Sequence, residues 1–246
     1  MLHEPTSVRA WQASSFAPTM VVVPGGGFVM GGGADDKFTN DTERPTHRVE
    51  VPTFSLARFP VTTAEYRRFA PEHRDEADES LPAVGVSWHD ATGYCKWLSR
   101  ETGVPHRLPS ESEWEFACRA GSAAPFSCGH EMTMRDANFL YSETSERIGP
   151  GRRTRCGEFP ANAFGLCDLH GNVCEWVQDV WHADYTGAPR DGSAWISGGD
   201  AERRVVRGGA WDYLPRLLRS AWRDGLDAGC RRDNVGFRIA SPNVGP

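Results

Sequence analysis

The sequence predicts a single α+β domain, 1–246, with little regular secondary structure. Two observations carry this. The 246 residues include 26 Gly and 9 Trp, the composition of an irregular backbone anchored by large aromatic side chains. Capped helical patterns are confined to the first half, and beyond residue 122 the chain reads as turns and short strands. No internal repeat or low-complexity linker divides it, and the length suffices for one substantial core.

In chain order, a lead segment (1–19) precedes Met20-Val21-Val22-Val23, a buried strand ending at Pro24. Gly25-Gly26-Gly27 then turns into a second strand, Phe28-Val29-Met30, so the expectation is a hairpin. This glycine run lacks the Gly-Lys-Ser/Thr ending and the following helix of a phosphate loop. Arg48–Val51 and Phe54–Leu56 read as strands. Thr62 or Thr63 opens a short helix through Phe69. Ser87, with Asp90 three residues on, caps a longer one stopped by Gly103. Ser110 caps a third, with Glu111 and Glu113 in its first turn and Arg119 in its last. Arg204–Arg207 and Val235–Ile239 are the later strands.

The formal net charge of −6 offers no basic excess to displace phosphate counterions, so nucleic acid is not an expected partner. No apolar run is long enough to span a membrane. The N-terminus shows no charged-then-apolar leader, so the cytoplasm is the default location. Seven Cys (95, 118, 128, 156, 167, 174, 230) without CxxC spacing suit reduced thiols, although Cys156, Cys167 and Cys174 could meet in a loop. Cys95 and Cys118 read as small core residues. The eight His are scattered, with no metal-binding pair on a predicted helix or strand; His47 and His106 read as structural hydrogen-bonders. No GxSxG elbow accompanies a serine.

Five segments, MVVVPGGGFVMGG (20–32), 43–69, 82–121 with RLPSESEWEFACRAG, 162–180 with GNVCEW, and 204–240 with RVVRGGAW and NVGFR, resemble in order and spacing the formylglycine-generating-enzyme (sulfatase-modifying factor) family. The resemblance implies an irregular C-type-lectin-like fold. It also implies where a copper-binding thiolate pair would lie, since soft Cu(I) favours two thiolates. Those positions hold Tyr213 and Leu218, and the nearest later thiol, Cys230, stands alone. No redox cofactor is therefore expected. A structural Ca²⁺ is possible: Asp168 and Glu175, with the carbonyls of Gly171 and Val173, resemble the family's calcium loop. The two carboxylates could instead simply bond turn amides.

The last segment also resembles the variable proteins of diversity-generating retroelements, whose framework residues Arg207-Gly208-Gly209, Pro215-Arg216, Leu218-Arg219-Ser220-Ala221 and Asn234-Val235-Gly236-Phe237-Arg238 are all present. The sites between them hold Asp212, Tyr213, Leu214, Leu217, Trp222, Asp224, Gly225, Leu226, Asp227, Gly229, Cys230 and Asp233. By this resemblance the chain is expected to be a non-catalytic display protein, presenting these residues to a protein or surface ligand. Tyr213, Leu214, Leu217, Trp222 and Leu226 on one face would make an apolar contact patch; Trp222 could equally turn inward. The alternative is a maturation factor or a non-copper enzyme of the same family. Arg207, Arg219, Arg223 and Arg238 are expected to form buried ion pairs that hold the loops.

Overall fold

Three capping boxes set the three helices. The computed structural model describes residues 8–34, 36–75 and 78–243. In it Thr62 caps α1 (Thr63–Phe69), Ser87 caps α2 (Trp88–Thr102) and Ser110 caps α3 (Glu111–Arg119). Each cap hydroxyl accepts from the third helical amide, whose own acidic side chain bonds back to the cap amide. Gly103 ends α2 in the left-handed conformation, at φ 71°. All nine residues of α3 are buried, so this helix is the axis around which the rest is laid.

Among the described residues ten short strands surround it: β1 (Ala10–Trp11), β2 (Met20–Val23), β3 (Gly26–Met30), β4 (His47–Val51), β5 (Phe54–Ala57), β6 (Cys174–Trp181), β7 (Asp200–Arg207), β8 (Arg223–Asp227), β9 (Val235–Phe237) and β10 (Ala240–Pro242). They form sheets ordered β1-β2-β5-β10, β3-β4 and β8-β7-β6-β9. The expected β2–β3 hairpin does not form. β2 pairs with β5 while β3 pairs with β4, because the chain crosses between sheets at Gly25. A Cβ there would lie 2.7 Å from the Thr53 amide nitrogen, so the crossing is open only to glycine.

Two large apolar clusters and a smaller one around Phe126, Phe139 and Leu218 fill the interior of the described residues. One joins α1 and α2 to Trp176, Trp222 and Phe237. The other packs Trp114 and Phe116 of α3 against β2, β4 and β5. Cys95 and Cys118 are buried as expected, and all seven cysteines are free, those at 156, 167 and 174 included. His47 Nδ1 lies 3.2 Å from the Pro45 carbonyl. His106 departs from expectation: both ring nitrogens are buried without a partner, and burial pulls its pKa down to about 4.

The four arginines of the C-terminal segment are buried and paired, as the sequence indicates. Arg207 meets Glu115 and the Ser220 and Ala221 carbonyls. Arg219 bridges Glu43 and Asp36, both at 2.6 Å. Arg223 clasps Glu111, and Arg238 clasps Glu175. Glu115 further accepts from the Gly31 amide and Arg119. The carboxylates of α3 thus tie loops that have few backbone ladders of their own.

Candidate ligand-binding site

β7 ends in a glycine pair. Gly208 and Gly209 have φ of 93° and 70°. A Cβ on Gly209 would lie 2.5 Å from the Leu217 carbonyl oxygen, so the following loop folds directly onto the turn. That loop is braced at every step. The Trp211 amide donates to Asn172 O, Leu217 N to Leu214 O and Leu218 N to Pro215 O. The Tyr213 carbonyl accepts from the amides of Leu140 and Tyr141 at 3.3 Å each.

Tyr213 and Leu218 are committed to packing. The Tyr213 ring meets Trp222 edge-on at 5.6 Å and its hydroxyl is hydrogen-bonded to the Cys174 thiol. Burial pushes both the phenol and the thiol upward, away from ionisation. Leu218 is wholly buried among Phe126, Met132 and Phe139. Neither residue supplies a thiolate, and no cluster of three or more His, Cys, Asp or Glu residues suited to a metal ion occurs among the described residues.

The expected apolar contact face is not assembled. Trp222 is 6% and Leu226 8% exposed, both in the core cluster. Gly225 is buried beneath Trp181, whose ring a Cβ would approach to 2.5 Å. The cause is β8: residues 223–227 pair with β7, Leu226 opposite Arg204, which draws a segment read as loop into the sheet. Leu217 is half-buried against the same core. Asp212, Tyr213, Leu214, Asp224 and Cys230 are half-buried, whereas Asp227, Gly229 and Asp233 are exposed. Asp212 takes both amide contacts of Asn234, at 3.0 and 3.1 Å, and Asp227 accepts from the Gly229 amide within a turn. Asp212, Tyr213, Asp224 and Cys230 do gather near Arg232 and Cys174, but as a polar cluster.

The apolar concavity lies on the other side of the same loop. A groove of about 670 Å³ runs past Pro215, with Phe38, Phe126, Met132, Met134, Phe139 and Ile148 as its apolar walls. Such a volume suits a small organic ligand or a few side chains. Two methionines give the wall adaptable shape. Ile148 is 49% exposed at its rim. Arg216 is paired with Glu143 there, and Lys37 lies 4.9 Å from the Phe38 ring centre. Sequence reasoning missed this groove, since its walls come from four separate loops and share no motif. The one available signal was the pair of apolar Met residues, 132 and 134, in an otherwise polar turn region.

A model of the sulfatase-modifying factor enzyme 1-like domain matches residues 7–242. The chain belongs to that family. The family member PvdO from Pseudomonas aeruginosa shares 33% identity and superposes with a TM-score of 0.86 over 98% of this chain and all of that one. The chain is 30% identical over 250 residues to the serine/threonine-protein kinase pkn1 of Chlamydia caviae, covering 90% of this chain and 37% of that protein. It therefore spans well under half the length of that relative. It is 28% identical to the inactive Cα-formylglycine-generating enzyme 2 of Mus musculus, covering 91% and 86% respectively. Variable protein 1 of Treponema denticola, at 20% identity and a TM-score of 0.75 over 96% of this chain and 99% of that one, shares the C-type-lectin-like fold.

The calcium loop of the sulfatase-modifying factor family is matched unevenly. Asp168 is buried, takes the Gly157 amide on Oδ2 at 2.7 Å, and leaves Oδ1 without a partner. Desolvation raises its pKa to about 6. That is a carboxylate in want of a positive neighbour. Glu175 is different: Arg238 holds both its oxygens, at 2.6 and 2.7 Å, and Trp114 Nε1 donates to Oε2 at 2.7 Å. The expectation that Glu175 offers a free carboxylate is thereby corrected, because a guanidinium already neutralises it. Gly171, at φ 75°, turns the loop, and its amide donates to Gly208 O.

Proposed function

We propose that this chain is a ligand-binding member of the sulfatase-modifying factor family that does not carry out copper–thiolate oxidation, and that its ligand occupies the groove beside Pro215. The observation that carries the reading is the replacement of an open thiolate site by the packed pair Tyr213 and Leu218, with a groove of about 670 Å³ next to them. Electron transfer through copper needs soft ligands at the reacting centre. Here that space is filled by a phenol bonded to a protonated thiol and by a leucine side chain. A ligand in the groove would be recognised by apolar contact with Phe126, Phe139, Met132 and Met134, beside the buried Arg219–Asp36 ion pair that also lines it.

The display reading survives in reduced form. The half-buried and exposed members of the C-terminal set, from Asp212 to Asp233, would present a separate, largely polar surface, while Trp222, Gly225 and Leu226 act as scaffold. A structural cation would be held through Asp168 with the carbonyls of Gly171 and Val173; hard oxygen donors on a turn suit Ca²⁺.

Ligand-observed NMR with a library of aromatic and aliphatic fragments tests the site. Wild type should bind a subset, and Ile148→Glu, which places a charge on the rim without touching the core, should weaken those fragments by about tenfold or more. Equal binding by the two proteins would place the ligand elsewhere.

A further inference from the structure

Behind Leu218 lies a second, smaller concavity of about 190 Å³, whose walls include Ser127, Cys128, Asp136, Asn162 and His170. Its chemistry is unrelated to the groove. Ser127 Oγ sits 3.0 Å from His170 Nε2. The other ring nitrogen, Nδ1, sits 2.7 Å from the Leu218 carbonyl oxygen. A carbonyl can only accept, so the proton of the neutral imidazole is on Nδ1 and the Nε2 lone pair faces the serine hydroxyl. The Ser127 amide donates to the same Nε2, at 3.1 Å, so amide and hydroxyl share that lone pair. Edge-on contact with Phe126 and the Cys118 thiol at 3.7 Å fix the ring from behind.

We propose that Ser127 and His170 form a nucleophile–base dyad that accepts the acyl group of a short-chain ester. This goes beyond ligand binding in the groove and does not rest on it. Three features of the site match what such chemistry needs. The base is within hydrogen-bond reach of the nucleophile, its tautomer is locked by a third group, and the serine borders a cavity. The small volume limits the acyl chain to a few carbons.

The step balances without a cofactor. Ser127 Oγ bonds to the acyl carbon as its proton passes to Nε2, the ester C–O bond breaks, and the alkoxide leaves with the proton from Nε2. Water then repeats the sequence, releasing a carboxylic acid and restoring the hydroxyl. No carboxylate backs Nδ1, so the imidazolium formed in transit gains less stabilisation than in a triad, and turnover is expected to be slow.

A fluorophosphonate ester is the probe, read by intact mass and peptide mapping on the full chain, with a thermal melt as folding control. Wild type should take one adduct, on Ser127. Ser127→Ala should take none there, and His170→Gln should label about a hundredfold more slowly. No adduct on Ser127, an adduct confined to Cys128, or a rate unchanged in His170→Gln would each overturn the dyad. Should His170→Gln fail to fold, His170→Asn is read in its place, and labelling at the wild-type rate would do the same.

Discussion

Asp168 turns a buried carboxylate into a measurable dependence of stability on pH and on cations. Its folded-state pKa is raised from 3.8 to about 6, chiefly by desolvation, with Glu175 and Glu158 adding repulsion and Arg238 and the Gly157 amide opposing it. A raised folded value means the native state holds the proton more tightly than the unfolded chain. The stabilisation is complete below the unfolded value and is lost as pH rises through the folded one, between about pH 4 and pH 6. A shift of roughly two units corresponds to about 3 kcal/mol. Asp168→Asn keeps an acceptor for Gly157 and removes the charge. In chelator at pH 7.5 it should therefore match or exceed wild type by up to about 3 kcal/mol, and the gap should close by pH 4. Calcium should stabilise wild type at pH 7.5, less at pH 5, and leave the Asn variant unmoved. Urea unfolding at several pH values, with and without Ca²⁺, measures all of this. An Asn variant that is less stable than wild type at pH 7.5 in chelator would refute the argument, because the buried charge would then already be satisfied within the chain.

Other consequences are more local. Glu115→Ala leaves Arg207, buried to 0% exposure, with only the longer contact to Glu111 at 3.4 Å, and should cost about 3–5 kcal/mol in urea unfolding. Trp222→Ala removes a core side chain and should cost about 3–5 kcal/mol; a change under about 1 kcal/mol would put Trp222 at the surface, the other orientation the sequence left open. Ile148→Glu should leave stability within about 0.5 kcal/mol of wild type, since its side chain is half exposed.

The helices were legible because capping is local chemistry: Ser87 and Ser110, with Asp90 and Glu113 three residues on, specify their own starts. The arginines were legible as buried ion-pair partners, and α3 supplies the acids for Arg207 and Arg223 while Arg219 and Arg238 find theirs at Glu43, Asp36 and Glu175. β8 was not. Arg223–Asp227 lacks strand composition and is held by its ladder to β7 and by Trp181 over Gly225, both long-range contacts. The same long-range pairing sank Trp222 and Leu226 into the core and dismantled the predicted patch. Glu175 was misread for a related reason: its partner Arg238 is 63 residues away. The groove and the Ser127–His170 contact join loops distant in the chain, and neither leaves a pattern in any one of them.

The account turns on side chains at 213 and 218 that pack in place of binding copper. Anaerobic titration of the purified chain with Cu(I), against a competing chelator, addresses it directly. The chelator should keep the metal, leaving no stoichiometric copper on the protein. One tightly held Cu(I) per chain, lost on substitution of Cys174, would contradict it.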